Sequence, residues 1–363
     1  MLNKHKILIL ANEYTTIINF RMELIEALIH KEYEIYVSLP DHERNEEIER
    51  LGAHIISTQF KRKGKNPFSD LKLLLTYKRM IKRISPDFVL TFTIKPNIYG
   101  GMACRKLKVP QIANITGLGV AVENKGTLQK LTVFLYRKGL KKAKMIFFQN
   151  RENADFMLKK KIVKGNYDIL PGSGVNLTKY KLIDYRKDDI VNFVYVARVM
   201  KEKGIDQYLE AARAIKVKYP DTAFHVCGPC SKDYDRIIKK LSDENLIVYH
   251  GVVSDMNTIY SFSHCTVLPT FYPEGLSNVL LESAACGKPI IATDRAGCRE
   301  IIDDGVNGFV VKQKDSADLI LKMEAFLSLS WEERREMGLN GRKKVEENFD
   351  RNIVVNAYLT NIK

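Results

Sequence analysis

Short apolar runs alternate with helical periodicities along almost the whole chain. Residues 6–11 (KILILA), 34–39 (EIYVSL), 53–57 and 87–93 (DFVLTFT) are strand-like runs bounded by polar or turn residues. Between them, residues 19–30 bring Phe20, Leu24, Ala27 and Leu28 to one face at helical spacing, and residues 70–84 form a second helix. This rhythm predicts βαβ units around a parallel sheet. A short strand at 168–170 and the turn Pro171-Gly-Ser-Gly follow, and the polar stretch 180–189 breaks the pattern. The alternation then restarts, with strands at 191–197, 224–227, 247–250 and 266–268. Helices at 205–218, 234–241 and 256–263 separate them, and a long helix at 331–348 comes before an apolar tail, 351–362. The expectation is an α/β protein of two doubly wound, Rossmann-like domains, residues 1–178 and 179–345. A C-terminal segment, 346–363, would pack back towards the first.

Composition adds an asymmetry. The 363 residues carry a net charge of +15, but residues 1–180 hold 32 Lys and Arg against 16 Asp and Glu, whereas residues 181–363 hold 26 against 27. The cationic excess sits wholly in the first half and calls for a polyanionic partner there: nucleic acid, an anionic lipid surface or a phosphorylated acceptor. Two features carry it. One is the loop cluster Lys61-Arg-Lys-Gly-Lys65. The other is 125–144 (KGTLQKLTVFLYRKGLKKAK), where Lys130, Arg137, Lys138, Lys141 and Lys142 alternate with leucines and Phe134. Wound as a helix, that segment is apolar on one side and cationic on the other, the form of an interfacial membrane helix; a solvated basic helix packed on the core has the same pattern. Nucleic acid fits less well, because the basic residues come without interleaved stacking aromatics or a reading helix. No apolar run is long enough to cross a bilayer, the first residues read as a strand rather than a signal peptide, and six cysteines without framework spacing suggest a reducing cytoplasm.

Residues 271–291 (FYPEGLSNVLLESAACGKPII) hold the most concentrated candidate chemistry. Leu276, Val279, Leu280, Ser283 and Ala284 recur at helical spacing between two carboxylates, Glu274 and Glu282, and Gly287-Lys-Pro289 stops the helix. If both carboxylates bracket two helical turns they stand roughly 12 Å apart, too far for a hydrolytic acid–base pair. Backbone N–H groups of Gly275, Leu276, Ser277 and Asn278 are expected to meet an anion at the helix start. Arg198 and Lys203 follow the strand 191–197 and would point beyond its C-terminal end, as two fixed cations suited to a diphosphate. Cys227-Gly-Pro-Cys230 fits a turn after a strand better than a dithiol site, and no carboxylate spacing implies a metal.

With Arg198, Lys203, Glu274-x7-Glu282, Gly287-Lys-Pro-Ile-Ile291, Pro171-Gly-Ser-Gly-Val-Asn176 and Ala296-Gly-Cys-Arg-Glu300 in this order, the chain resembles the retaining, nucleotide-sugar-dependent glycosyltransferases of family 4. The resemblance implies the GT-B fold, two Rossmann-like domains facing across a cleft. It places the donor diphosphate on Arg198 and Lys203, the transferred sugar near Glu274, the ribose on Glu282, and the base at the backbone of Val252 and Val253. No metal or other cofactor is implied beyond a nucleotide sugar, with uridine diphosphate as carrier. Asn12-Glu-Tyr14 stands where many members have a Gly-Gly pair approaching the donor, so contact through Asn12 and Tyr14 is expected in altered form. Thr91-Phe-Thr-Ile-Lys-Pro-Asn-Ile-Tyr-Gly100 and Asn114-Ile-Thr-Gly-Leu-Gly119 resemble a narrower group that extends sugars, N-acetylgalactosamine among them, on undecaprenyl diphosphate in surface-glycan or glycoprotein assembly. On that resemblance Lys95, Asn97, Asn114 and Thr116 line the acceptor side, and the enzyme is cytoplasmic and peripheral on the inner face of the plasma membrane. A nucleotide-sugar epimerase or phosphorylase on the same architecture, and a basic nucleic-acid-binding protein, are the alternatives.

Overall fold

The computed structural model describes residues 5–58, 67–119, 122 and 126–363, so the basic run 61–65 lies outside the described residues. The chain divides into two compact units: Met1–Ser173 with Pro273–Leu276 and Asn352–Lys363, and Gly174–Tyr272 with Ser277–Arg351.

In the first unit β1 (Lys6–Leu10), α1 (Tyr14–Ile18), α2 (Met22–His30), β2 (Glu34–Leu39), α3 (Glu46–Arg50) and β3 (His54–Ser57) are followed by α4 (Pro67–Ile84) and β4 (Phe88–Phe92). A π-turn at Pro96–Gly100 leads into α5 (Gly101–Leu107); then come β5 (Gln111–Ile115), α6 (Thr127–Gly139), β6 (Met145–Phe148), α7 (Arg151–Lys159) and β7 (Tyr167–Ile169). All strand pairs are parallel, in the order β3-β2-β1-β4-β5-β6-β7. Ile7 to Leu10 are fully buried because helices cover both faces of the sheet, which is why this strand is continuously apolar. One face is packed by Tyr77 of α4, Tyr136 of α6 and Met157 of α7. The other is packed by Leu24 and Leu28 of α2 and by Tyr358 near the C-terminus. The Tyr358 ring meets Phe147 edge-on at 4.9 Å, and its hydroxyl accepts from Asn114 Nδ2 at 2.8 Å.

The helix expected over 19–30 starts at Met22, and a separate short helix, Tyr14–Ile18, precedes it, with the break at Asn19–Arg21. Arg21 is 1% exposed, with its guanidinium 4.8 Å from the Phe92 ring centroid and Nη1 donating to the Phe20 carbonyl. Its cation is drawn inward to the ring face, and the helix cannot run straight through that point.

The second unit contains β8 (Val191–Val196), α8 (Ile205–Lys218), β9 (Thr222–Cys227), α9 (Asp235–Asp243), β10 (Val248–Gly251), α10 (Met256–Phe262), β11 (Cys265–Leu268), α11 (Asn278–Ala285), β12 (Ile290–Thr293), β13 (Gly308–Val311), α12 (Ser316–Ser328) and α13 (Trp331–Asn348). Its sheet is also parallel, in the order β10-β9-β8-β11-β12-β13. Beneath the sheet the Tyr208 hydroxyl donates to the carbonyls of Phe193 and His225, each at 3.0 Å, so a ring buried for its apolar area leaves no polar atom unsatisfied. A capping box at Ser330 and Glu333 opens α13. The last helix, α14 (Arg351–Asn361), carries Tyr358.

Candidate active site

In the second unit, Arg198 and Lys203 stand on the loop between β8 and α8. Tyr195, the residue before the end of β8, donates its hydroxyl to the carbonyls of Arg198 and Lys203, both at 3.2 Å, and so pins both ends of the loop. Gly204 ends the turn Lys201–Lys203 at φ +78°, and a Cβ there would strike the Pro269 carbonyl oxygen. The Glu202 carbonyl accepts from the Phe271 N–H at 2.9 Å and the Thr270 hydroxyl at 3.2 Å, which lays the segment before Tyr272 alongside the loop. Both cations then meet one aromatic ring. Arg198 Cζ is 5.4 Å and Lys203 Nζ 5.0 Å from the Tyr272 centroid. Arg198 is exposed and Lys203 half-buried. Burial, and next the Arg198 charge, bring the Lys203 ammonium down to about 8. A pair of like charges held this way favours a bound dianion over water.

Glu282 lies in the second turn of α11. Tyr260 donates to its Oε2 at 3.4 Å, and Tyr180, Lys179 and Arg351 complete its surroundings. Desolvation pushes the carboxyl up to about 7, against the pull of Lys179, Arg351 and the two phenols. A poorly solvated carboxylate that accepts from two phenols keeps lone pairs free for diol hydroxyls.

Two expectations for this segment need correction. The helix starts at Asn278, so Glu274 lies in the preceding turn and the two carboxylates do not bracket two helical turns. The Ser277 N–H is committed to the Gly297 carbonyl at 2.8 Å, so it does not point at an anion; Asn278 opens the first helical turn instead. Val252 is exposed on the loop after β10, while Val253 packs against the small cluster of Val194, Val196 and Ile259. The Cys227 and Cys230 thiols are free and held up to about 12 and about 11 by burial, Cys230 also by Asp235, which leaves them unreactive as a dithiol.

Glu274 and Gly275 belong to the first unit. Asn150, the N-cap of α7, accepts from the Asn153 N–H at 2.9 Å and donates its Nδ2 to the carbonyls of Glu274 at 3.2 Å and Gly275 at 2.5 Å. Gly275 sits against the Thr116 carbonyl and Gln149 Oε1, with no room for a Cβ. Asn150 escaped sequence reasoning. Its capping role is legible beside Arg151–Asn153, but its reach across 124 positions is not.

On the acceptor side, Lys95 Nζ is paired with Asp70 at 3.0 Å, and Tyr99 donates to the same carboxylate at 2.9 Å. Asn97 and Asn114 expose no atom and line no surface. Asn97 accepts from Thr91 Oγ1 at 2.7 Å and donates to the Asn114 carbonyl at 2.7 Å, while Asn114 Nδ2 holds Tyr358. They are spent on joining β4, β5 and the C-terminal helix, because buried amides must be satisfied internally. Thr116 is half-buried and offers its carbonyl beside Gly275. Tyr14 stacks on His42 with centroids 3.5 Å apart. Lys130, Arg137, Lys138, Lys141 and Lys142 are all exposed on α6 and the turn after it. Among the described residues no group of three His, Cys, Asp or Glu is placed to hold a metal ion, and no helix is long and apolar enough to cross a membrane.

Two parallel Rossmann-like sheets, with paired cations after the first strand of the second and a Glu-bearing helix after its fourth, have the GT-B fold of solved glycosyltransferases. The family assignment agrees. Residues 6–150 match the model described as Glycosyl transferase 4-like and residues 185–344 that of Glycosyl transferases group 1, and the chain belongs to these glycosyltransferases. It is 28% identical, over 96% of both chains, to the N,N'-diacetylbacillosaminyl-diphospho-undecaprenol alpha-1,3-N-acetylgalactosaminyltransferase of Campylobacter jejuni. In fold it is similar to a glycosyltransferase from Rickettsia africae (TM-score 0.81, 19% identity, 99% of this chain and 98% of that one). It is also similar to Anabaena Alr3699/HepE in complex with UDP and glucose (TM-score 0.78, 16% identity, 98% of each).

Proposed function

We propose that the enzyme moves a sugar, an N-acetylhexosamine such as N-acetylgalactosamine, with retention of configuration from a UDP-sugar to a saccharide linked to polyprenyl diphosphate, in surface-glycan assembly. The observation that carries this reading is the placement of Arg198 and Lys203 against the single Tyr272 ring, a double cation suited to a diphosphate. In the reaction the bond from the anomeric carbon to the diphosphate oxygen breaks, and the acceptor hydroxyl oxygen bonds to that carbon from the same face. The hydroxyl proton passes to the departing diphosphate. Arg198 and Lys203 neutralise the charge that develops on the leaving group, Glu282 accepts from the ribose hydroxyls and Glu274 from the transferred sugar. The reading requires no protein-bound metal. The relative from Campylobacter jejuni, whose name specifies N-acetylgalactosamine and a diphospho-undecaprenol acceptor, supports the substrate class. The UDP bound to the Anabaena protein supports the carrier. The test is a panel of nucleotide sugars offered with synthetic polyprenyl-diphosphate saccharides. Transfer of an N-acetylhexosamine from UDP with retained anomeric configuration is expected; inversion, or donor conversion without acceptor, overturns it.

A pH dependence follows from Lys203. With the free ammonium at about 8 and the diphosphate favouring its charged form, the complex holds the proton to higher pH than the free enzyme. UDP affinity is therefore full below pH 8 and falls above it, by up to about tenfold per unit, until the complex itself deprotonates. Calorimetry in buffers of different ionisation enthalpy should record proton uptake near pH 8; binding that is flat from pH 7 to 9.5 contradicts it.

A lipid-linked acceptor also requires a membrane surface. Leu131 and Phe134 of α6 are 54% and 50% exposed beside its cations, and Phe68, Leu71 and Leu75 form an exposed stripe on α4 beside Lys72 and Arg79. Both helices follow strands of one parallel sheet, so their first turns lie at its carboxyl edge, the edge where such sheets bind ligands. Apolar side chains beside lysine and arginine along the exposed faces of α4 and α6 suit an anionic bilayer. Replacing Lys138, Lys141 and Lys142 together by Gln should weaken partition onto anionic vesicles about 100-fold, at ~1 kcal/mol per charge. Unchanged partition removes α6 from the membrane contact.

A further inference from the structure

On one face of the second sheet, polar side chains tie three neighbouring strands together. Asn192 Nδ2 donates to the Ile190 carbonyl at 3.2 Å, which leaves its Oδ1 facing His225 Nε2 at 3.0 Å. An amide oxygen only accepts, so His225 Nε2 carries the proton and its Nδ1 is an acceptor. His250 Nε2, 3.0 Å from that Nδ1, is then the donor, and the chain runs one way from His250 through His225 to Asn192. Burial, and next the neighbouring His250, bring His225 down to about 4, and burial lowers His250 as well. Both rings are therefore neutral near pH 7 and the direction holds. The surroundings are apolar: Val194, Val196 and Ile259 pack here, and the Phe262 ring of α10 lies 4.9 Å from that of His225. Imidazoles are costly in such a place unless their bonds specify something that apolar packing does not. What they meet is an irregular edge. β10 is the outermost strand; Tyr249 pairs with Val226 and Gly251 with Cys227, so His250 is the extra residue of a bulge. Val248 beside it is 47% exposed, so burial fixes the register of this strand only weakly. Gly251 follows at φ +64°, its carbonyl accepts from the Gly228 N–H at 2.7 Å, and the chain turns into Val252 and Val253.

We propose that His250 and His225 are positioning residues for the base of the nucleotide, pinning the β10 bulge so that the Val252 and Val253 backbone meets the base. A directed hydrogen bond fixes where His250 sits along β9, whereas apolar contact alone lets an edge strand slide. A slip of one residue shifts the loop by about 3.3 Å, enough to break any hydrogen bond it makes to a base. Both histidines act through the loop, and the diphosphate is left to Arg198 and Lys203 after β8. The pin rests on the nucleotide-sugar reading given above, and it concerns the base alone.

Calorimetry with two ligands, UDP and inorganic diphosphate, separates the base from the phosphates. His250→Leu removes the donor from a half-buried position at the sheet edge. It is expected to bind UDP about tenfold more weakly, the worth of one neutral hydrogen bond, and inorganic diphosphate as the parent does. A general loss of structure would weaken both ligands. His250→Gln keeps an amide N–H where Nε2 stood and should restore UDP binding. Parental UDP affinity in His250→Leu, equal losses for the two ligands, or a UDP loss that glutamine does not restore overturns the pin. If the parental chain binds UDP no tighter than inorganic diphosphate, the base reading fails separately. Hydrogen exchange of the Gly228 amide, followed by NMR, then decides the pin, because its acceptor is the Gly251 carbonyl. Exchange about tenfold faster in His250→Leu and parental in His250→Gln supports it; one rate in all three chains, or equal acceleration in both variants, overturns it.

Discussion

Arg198→Ala is expected to lower kcat for sugar transfer by about 10²–10³-fold while the protein stays folded. The side chain is exposed, its carbonyl rather than its guanidinium is held by Tyr195, and its ring contact with Tyr272 lies at the surface end of the loop. Little stability therefore depends on it. Its charge matters when the glycosidic bond to the diphosphate lengthens and the leaving oxygens gain negative charge, so the loss falls mainly on kcat. Lys203 cannot compensate. Without Arg198 its ammonium is more easily protonated, because a repelling neighbour is gone, but one point charge replaces two and the planar fork is lost. Arg198→Lys should recover only part of the rate for the same reason. Steady-state kinetics with circular dichroism of each variant checks this, and near-parental kcat in Arg198→Ala would remove Arg198 from the site.

Much of the architecture was legible because burial writes itself into strands. Residues 7–10 and 290–292 are apolar without alternation since helices cover both faces of their sheets. Local punctuation was harder to read. Arg21 is charged yet buried against the Phe92 ring, at the break between Tyr14–Ile18 and Met22–His30. The helix Ser316–Ser328 and the strand Gly308–Val311 passed unnoticed, although Asp315 caps the helix and Leu319, Met323 and Phe326 repeat along its buried face. The residue types at the site were readable from charge and spacing; their surroundings were not. Tyr272 meets both cations because the Glu202 carbonyl holds Thr270 and Phe271 beside their loop, and Asn150 meets Glu274 only in the folded chain. Contacts of that kind depend on tertiary closure, which leaves no periodic trace. The carboxylates are a plainer instance. Eight residues apart in sequence, Glu274 and Glu282 belong to different compact units, so a helical ruler laid between them measured nothing real.

Gly275→Ala should reduce transfer by about 10²-fold or more without unfolding the protein. A Cβ at this position would meet the Thr116 carbonyl oxygen and Gln149 Oε1 inside any tolerable contact, with the Thr116 carbonyl carbon at 2.8 Å. The glutamine can turn away, but the Thr116 backbone is fixed by the end of β5, so the segment Pro273–Leu276 has to move instead. That movement breaks the hydrogen bonds from Asn150 to the Glu274 and Gly275 carbonyls and shifts the Glu274 carboxylate from its place. The core is untouched, so the melting temperature should fall by only a few degrees. Gly165→Ala is the control: the nearest atom to its added Cβ is 4.0 Å away, and both activity and stability should be parental. Asn150→Ala, which loosens the tether without a clash, should lie between the two in rate. If Gly275→Ala keeps parental kcat, Glu274 does not depend on this anchoring and its role at the reacting sugar has to be given up. A loss in Gly275→Ala that Glu274→Gln does not share would assign the effect to the loop rather than to the carboxylate.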